Sequence, residues 1–315
     1  MVKSVTAMQR PVHYINDMAD CREILRQGSH SFYAASHLLP RDVREPACAL
    51  YAFCREADDA IDLSANPLDE IDDLYERLER IYAGRPRNRP ADRGMTIVVE
   101  SYAIPRTVPA ALLEGFAWDL SGRRYANASE LNDYAARVAG TVGIMMAMIM
   151  EVRAPDVLAR ACDLGVAMQL TNIARDVGED AANGRVYLPL DALAGAGIDV
   201  ETFLAEPTFT PALGGVVAEL LARADSLYRR AHTGIAQLPL RCRPGIFAAR
   251  RIYAEIGRVI AANGYDSINQ RAYVPRPQKR RLLARSMLSA VRPRGRDRSP
   301  ALPETGFLVD AVAES

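Results

Sequence analysis

Twelve consecutive residues, Tyr51-Ala-Phe-Cys-Arg-Glu-Ala-Asp-Asp-Ala-Ile-Asp62, gather the groups best suited to chemistry. On a helix of 3.6 residues per turn, Tyr51, Arg55, Asp58 and Asp62 fall within an arc of about 60°. Much of the remaining surface is apolar (Ala52, Phe53, Cys54, Ala57, Ile61), which leaves little for water to cover. A second stretch, Gln169 to Asp180, repeats the pattern. Gln169, Asn172, Asp176 and Asp180 share a stripe about 80° wide, with Arg175 and Glu179 beside it and apolar Leu158, Ala161, Leu164, Gly165 and Met168 upstream. One D-x-x-x-D pair is ordinarily a solvated face. Two such pairs, each preceded by an arginine on an otherwise apolar helix, are a different matter, because four facing carboxylates repel unless cations lie between them. Oxygen ligands without histidine select a hard ion, Mg²⁺ or Mn²⁺, which takes few carboxylates and completes its octahedron with water and phosphate oxygens. Arg55 and Arg175 add the planar donors that phosphates prefer. The residues themselves point to a magnesium–diphosphate site between two helices.

The elements that must hold these stripes are helical throughout. Asn16-Asp17 can cap a first helix running through Arg26 to Gly28, and a short helix follows, ending near Leu38-Leu39-Pro40. Apolar periodicity and Pro, Gly and Asn punctuation then predict helices over 43–63, 67–82, 91–103, 109–122, 130–151, 155–182, 211–237 and 243–264. No alternating stretch is long enough for a sheet. The expectation is an all-α bundle of about ten helices, with residues 1–16 as a loose arm, 1–275 as the functional domain and 276–315 as a tail. The helix over 67–82 carries an apolar stripe against a charged outer face, a packing element without visible chemistry.

Whole-chain features exclude more than they assign. Lys+Arg and Asp+Glu balance at 39 each, so net charge names no partner. Five cysteines without a C-x-x-C read as buried thiols of a reducing compartment. The start lacks a charged-then-apolar signal, and no apolar run reaches the ~18 residues of a spanning helix. A cytoplasmic protein is expected. Residues 276–298 hold nine Lys/Arg against one acid, Asp297, so the rest of the neutral chain carries about −8. Leu282, Leu283, Met287, Leu288 and Val291 can form one apolar face there. Such a segment suits either an anionic membrane surface, making the protein peripherally membrane-associated, or a solvated tail. Nucleic acid is not expected, because aromatic interleaving and a nucleic-acid module are missing. Met145, Met146, Met148 and Met150 either fill a core or, with Gly140 and Gly143, line a tunnel for a chain.

Five ordered runs between about residues 20 and 275 carry a resemblance: Gly28-Ser-His-Ser-Phe-Tyr-Ala-Ala-Ser-His-Leu-Leu-Pro40, Tyr51 to Asp62, Tyr134-Ala-Ala-Arg-Val-Ala-Gly-Thr-Val-Gly143, Gln169 to Asp180 with Gly184-Arg-Val-Tyr-Leu-Pro189, and Ala248-Ala-Arg-Arg-Ile-Tyr253. The sequence resembles the squalene/phytoene synthase family of head-to-head prenyl transferases, and Asn172 to Asp180 with Arg271-Ala-Tyr-Val-Pro275 look most like its bacterial phytoene synthases. The resemblance implies a single large helical bundle of the isoprenoid synthase type with a central apolar cavity. It implies that Asp58, Asp62, Asp176 and Asp180 hold magnesium, and that Ser29, Ser31, Phe32, Arg55, Gln169, Asn172 and Tyr253 match positions around the substrate diphosphates. Tyr51, Tyr134 and Arg175 match catalytic positions, the tyrosines facing the reacting carbons. The implied reaction joins two geranylgeranyl diphosphates through a cyclopropyl diphosphate to phytoene, which makes downstream carotenoid enzymes natural partners. Two alternatives stay open: a C30 synthase using farnesyl diphosphate to make squalene, dehydrosqualene or presqualene diphosphate, and a non-catalytic scaffold relative. Intact acidic pairs and arginines weigh against the scaffold.

Overall fold

Each long stretch with a helical apolar stripe forms a helix in the computed structural model, which describes residues 12–63, 67–290 and 297–314, and the backbone alone for 12–14, 62–63 and 67–68. The N-terminal half comprises α1 (Val12–Gly28), α2 (His30–Ser36), α3 (Arg41–Leu63), α4 (Pro67–Tyr82), α5 (Pro90–Ser101), α6 (Thr107–Leu120) and α7 (Ala128–Ala135). A π-helical turn (Ala136–Gly140) leads into α8 (Thr141–Ile149), α9 (Pro155–Ala182), α10 (Leu190–Gly195), α11 (Val200–Ala205), α12 (Pro211–Ile235) and α13 (Arg243–Ala262). After them come α14 (Arg276–Ala290), a 3₁₀ turn (Pro303–Thr305) and α15 (Gly306–Ala313). No strand occurs among the described residues, and none of their helices is long and apolar enough to cross a membrane. The all-α bundle is as expected.

The bundle is built around α9. Pro155 opens it where a missing N–H costs nothing, and Leu158, Cys162, Val166, Leu170, Ile173 and Val177 bury one side of its 28 residues. It packs against α12, α13, α8 and the π turn. Its crossing with α8 is a backbone-to-backbone approach. A Cβ on Gly165 would lie 2.2 Å from Ala139 O, and one on Gly143 would lie 2.3 Å from Ala161 O. The wide π turn falls at this crossing, so residues 130–151, expected as one helix, divide into three pieces.

Two other differences have local causes. Helix α1 starts at Val12, before the expected cap, because Asp17 serves tertiary structure: it is buried and takes Arg93 Nε at 2.8 Å and Nη2 at 2.6 Å. Only residues 1–11 of the expected arm lie outside the described structure. The segment expected as a tail contributes α14 and α15 to the bundle. Leu282, Ser286 and Ala290, four apart, turn α14 inward, while Arg251 on α13 donates to Ser286 Oγ (3.2 Å) and Ser289 Oγ (2.6 Å). Met287 and Leu288 are thereby left exposed, which divides the expected single apolar face; Val291 lies outside the described residues. Leu308, Val309 and Val312 of α15 join the core.

Candidate active site

Helix α3 is anchored from behind. Arg77 of α4, fully buried, donates to Asp92 of α5 (Nη2 to Oδ1, 2.5 Å) and to Glu56 (3.2 Å). With Glu56 held on that side, Tyr51, Arg55 and Asp58 turn to the other. Arg55 Nε donates to Asp59 Oδ2 at 3.0 Å, and its Nη1 lies 3.6 Å from Asp58. Asp62 occupies the last turn of α3, but its side chain lies outside the described residues.

On α9 the expected stripe lines a polar cavity of about 260 Å³, where Asp176, Asp180, Asn172 and Gln169 meet Asp58 across the gap. Arg175 Nε donates to Asp176 Oδ1 (2.8 Å), and Arg271 Nε to the same oxygen (3.0 Å). Burial alone would raise Asp176, but these two guanidinium groups hold it below the usual carboxylate range. Asp180 goes the other way: burial, then the charges of Asp176 and Glu179, push it up to about 7. The loop carrying Arg271 is fixed to α9 between the two aspartates, since Gly178 N donates to Ser267 O at 3.0 Å.

Tyr134 enters the same cavity from α7. Its hydroxyl donates to Asp119 Oδ2 (2.9 Å), and that of Tyr187 donates to Asp119 Oδ1 (2.8 Å). Burial raises Asp119 to about 6, despite the two tyrosine donors. The ring of Tyr134 stacks on Tyr187 with centroids 5.3 Å apart. Asp119, Tyr187, Arg185 and Arg271 were not among the expected site residues. The available signal for Asp119 was a lone acid near the end of apolar α6.

The remaining expected residues form an aromatic cluster. Ser29 caps α2, accepting from Phe32 N at 3.2 Å, and also hydrogen-bonds Tyr253. Phe32 stacks on Tyr253 (5.0 Å) and meets Tyr51 edge-on (6.3 Å). Burial raises Tyr253 to about 12, with Arg175 and Ser29 pulling it down. Ser31 is half-buried on α2 and lines neither the polar cavity nor its apolar neighbour.

That neighbour, about 300 Å³, runs along α9 beneath the polar cavity, and Phe32, Tyr51 and Cys54 also face it. Gln169 and Asn172 line both. From Asn172 to Val157 the apolar lining follows α9 for about 22 Å at 1.5 Å per residue. Met146 and Met150 line it with Gly143, whereas Met145 and Met148 are buried in the core, so the four methionines divide between the two expected roles.

The donor set fits a hard cation. Asp58, Asp176 and Asp180 present oxygens, Asn172 Oδ1 is buried without a hydrogen-bond partner among the described residues, and the Asp180 carboxyl is driven towards its neutral form by burial first and by negative neighbours second. No three His, Cys, Asp or Glu side chains among the described residues converge on one point.

The squalene/phytoene synthase family model matches residues 25–278. A phytoene synthase of Rhodobacter capsulatus is 53% identical over 305 residues, covering 94% of this chain and 90% of its own. One of Cereibacter sphaeroides is 52% identical over 314 residues, covering 95% and 88%. A solved dehydrosqualene synthase in complex with ligand superposes with a TM-score of 0.80 at 31% identity, covering 88% of this chain and 97% of its own. With two facing acidic stripes over a long apolar cavity, and relatives matching along nearly its whole length, the chain belongs to the squalene/phytoene synthase family.

Proposed function

We propose that the protein is a magnesium-dependent prenyl transferase that joins two geranylgeranyl diphosphates head to head, through a cyclopropyl diphosphate, to phytoene. The observation that carries this is the shared wall at Gln169 and Asn172, where the lining of an acidic cavity meets that of an apolar one about 22 Å long. At about 5 Å per isoprene unit from ordinary carbon–carbon bond lengths, a C20 chain spans about 20 Å and a C15 chain about 15 Å. The longer chain fits the length, and the relatives from Rhodobacter and Cereibacter are phytoene synthases.

In this reading Asp58, Asp62, Asp176 and Asp180 hold the ions. Magnesium bound there supplies the positive charge that stabilises a departing diphosphate. Arg55 and Arg175, with Gln169, Asn172, Ser29 and Tyr253, orient the diphosphates; Ser31, which lines neither cavity, is given no part in this. Loss of the first diphosphate leaves an allylic cation, which alkylates the double bond of the second substrate. A second ionisation, rearrangement and proton loss complete phytoene. The rings of Tyr51, Phe32 and Tyr134 offer their negative faces to the cations, and the Asp119 carboxylate fixes the direction of the Tyr134 hydroxyl. Apolar walls exclude the water that would quench a cation to an alcohol.

Peripheral membrane contact belongs to the same proposal. The product is a hydrocarbon, and α14 turns Arg280, Arg281, Arg285, Met287 and Leu288 to solvent without an acid among its residues. That face suits an anionic bilayer. Reversing the three arginines to Glu should release the protein from phosphatidylglycerol vesicles; unchanged binding would refute the contact.

The deciding experiment incubates purified protein with geranylgeranyl or farnesyl diphosphate, with and without Mg²⁺ and NADPH, and identifies the hydrocarbons. A C40 product that requires Mg²⁺ but not NADPH is expected. A C30 product from the farnesyl substrate alone would overturn the chain-length assignment. Turnover at the wild-type rate in Asp58→Asn or Asp176→Asn would sink the metal assignment.

A further inference from the structure

The apolar cavity has one charged residue in its lining, Arg160, which shares with Val157 the turn of α9 farthest from the acidic stripe. Its side chain is 0% exposed. A guanidinium facing hydrocarbon would be untenable, and this one faces away. Nε lies 2.7 Å from Asp163 Oδ2, Nη1 donates to Ser299 Oγ at 2.9 Å and lies 3.2 Å from Asp297 Oδ2, and Nη2 donates to Pro300 O at 3.1 Å. Both terminal nitrogens are hydrogen-bonded to the 297–300 segment or lie against its carboxylate, and Nε lies against Asp163, so the charged end is held among these partners and the methylene stem is left to the cavity. Arg230 of α12 reinforces the arrangement, donating to Asp163 Oδ2 at 3.0 Å and to Pro300 O at 2.8 Å. The stem is also wedged against α12: a Cβ on Gly234 would lie 2.3 Å from Arg160 Cβ.

Three of those partners, Asp297, Ser299 and Pro300, lie beyond residue 278, where the match to the shared family domain ends. The contacts that hold the Arg160 side chain therefore come in part from outside that domain. We propose that Arg160 is the floor that limits isoprenoid chain length, and that the 297–300 segment is a brace holding it in place. Arg160 is the specificity-determining residue; Asp297 and Ser299 position it. The inference rests on the reading of the cavity as the site for a C20 chain, and adds to it the element that stops a longer one.

The test compares kcat/KM for C20 and C25 isoprenoid diphosphates in the wild type, Arg160→Ala and Ser299→Ala, with thermal unfolding as the check on folding. Arg160→Ala should raise the C25:C20 ratio about tenfold or more, the low end of what reshaping an apolar pocket confers. Ser299→Ala removes two hydrogen bonds of the brace, the one from Arg160 and the one to Asp297, and should raise the ratio about threefold. A merely structural role would lower both activities in proportion and leave the ratio unmoved, so an unchanged ratio in folded Arg160→Ala overturns the proposal. If that variant does not fold, an unchanged ratio in Ser299→Ala does so. Wild-type protein inactive on the C20 substrate would instead refute the functional reading itself.

Discussion

Replacing Asp119 by Asn should make the protein more stable and a poorer catalyst. Its carboxyl lies between the hydroxyls of Tyr134 and Tyr187, and burial lifts it from the ordinary 3.8 to about 6. A folded-state value above the unfolded one means that the contribution to stability is fully present below pH 3.8 and is lost as pH rises through 6. At pH 7 the ionised, buried carboxylate costs about 3 kcal/mol relative to the unfolded chain, and at pH 5 about half of that. Asparagine carries no charge, and tyrosine hydroxyls can accept from its amide as well as donate to its carbonyl. Urea unfolding in magnesium-free buffer, followed by circular dichroism, should therefore find Asp119→Asn more stable by about 3 kcal/mol at pH 7, with the gap shrinking by about half at pH 5. Turnover should fall about 10²-fold, the cost of a catalytic group slightly misaimed. A variant no more stable than wild type at pH 7, or a gap that does not change with pH, would refute the reasoning.

Other perturbations address the supports of the site. Arg77→Met leaves Asp92, which is 0% exposed, without its cation; the loss should be about 3–5 kcal/mol in thermal or urea unfolding. Gly165→Ala drives a methyl to 2.2 Å from Ala139 O, so α8 and α9 must part at a cost of about 1–3 kcal/mol, and the apolar cavity should change shape enough to raise KM for the prenyl substrate. In the metal-free protein Asp180 is held near 7 by burial and by Asp176 and Glu179. Magnesium must displace that proton, so its affinity should fall about tenfold between pH 8 and pH 6. Titration calorimetry in buffers of different ionisation enthalpy reads the released proton directly, and a pH-independent affinity would show that Asp180 is not a ligand.

The acidic stripes were legible because they are local. Three- and four-residue spacing on one helix puts Asp176 beside Asp180 whatever the rest of the chain does, and an apolar background marks the stripe as inward-facing. Asp119 was not legible for the opposite reason. Its significance comes from Tyr134, fifteen residues on, and Tyr187, sixty-eight residues on, and nothing in α6 encodes that meeting. The π turn has the same character, being a response to backbone contact with α9 rather than a local preference. In α14, counting charges emphasised the arginines, whereas the buried stripe is set by Leu282, Ser286 and Ala290 against α13. Small and polar residues form that seam, and a hydrophobicity pattern passes over it.

One face of α9 accounts for the orientation of a bound substrate. Read from its N-terminal end, the residues facing the two cavities run from Ala161 and Gly165, through the neutral amides Gln169 and Asn172, to Asp176 and Asp180. From Ala161 onward polarity rises along the axis in a single direction; Arg160, just before it, has its guanidinium against Asp163, Asp297 and Pro300. The helix also ends there, where its dipole is negative and adds to the carboxylates. Anions ordinarily seek helix N-termini, so a diphosphate at this end would be repelled twice over unless cations intervene. The protein supplies some of them itself, through Arg175 and Arg271 on Asp176. Those two arginines neutralise one aspartate while Asp180 remains burdened by its neighbours, which leaves a charge deficit that a divalent ion is suited to fill. The same gradient also keeps hydrocarbon out of the mouth, because an isoprenoid tail entering there would strip water from the carboxylates. Neutral amides at Gln169 and Asn172 mark the one level on α9 where a diphosphate head and an isoprenoid tail can meet without either being buried in the wrong medium.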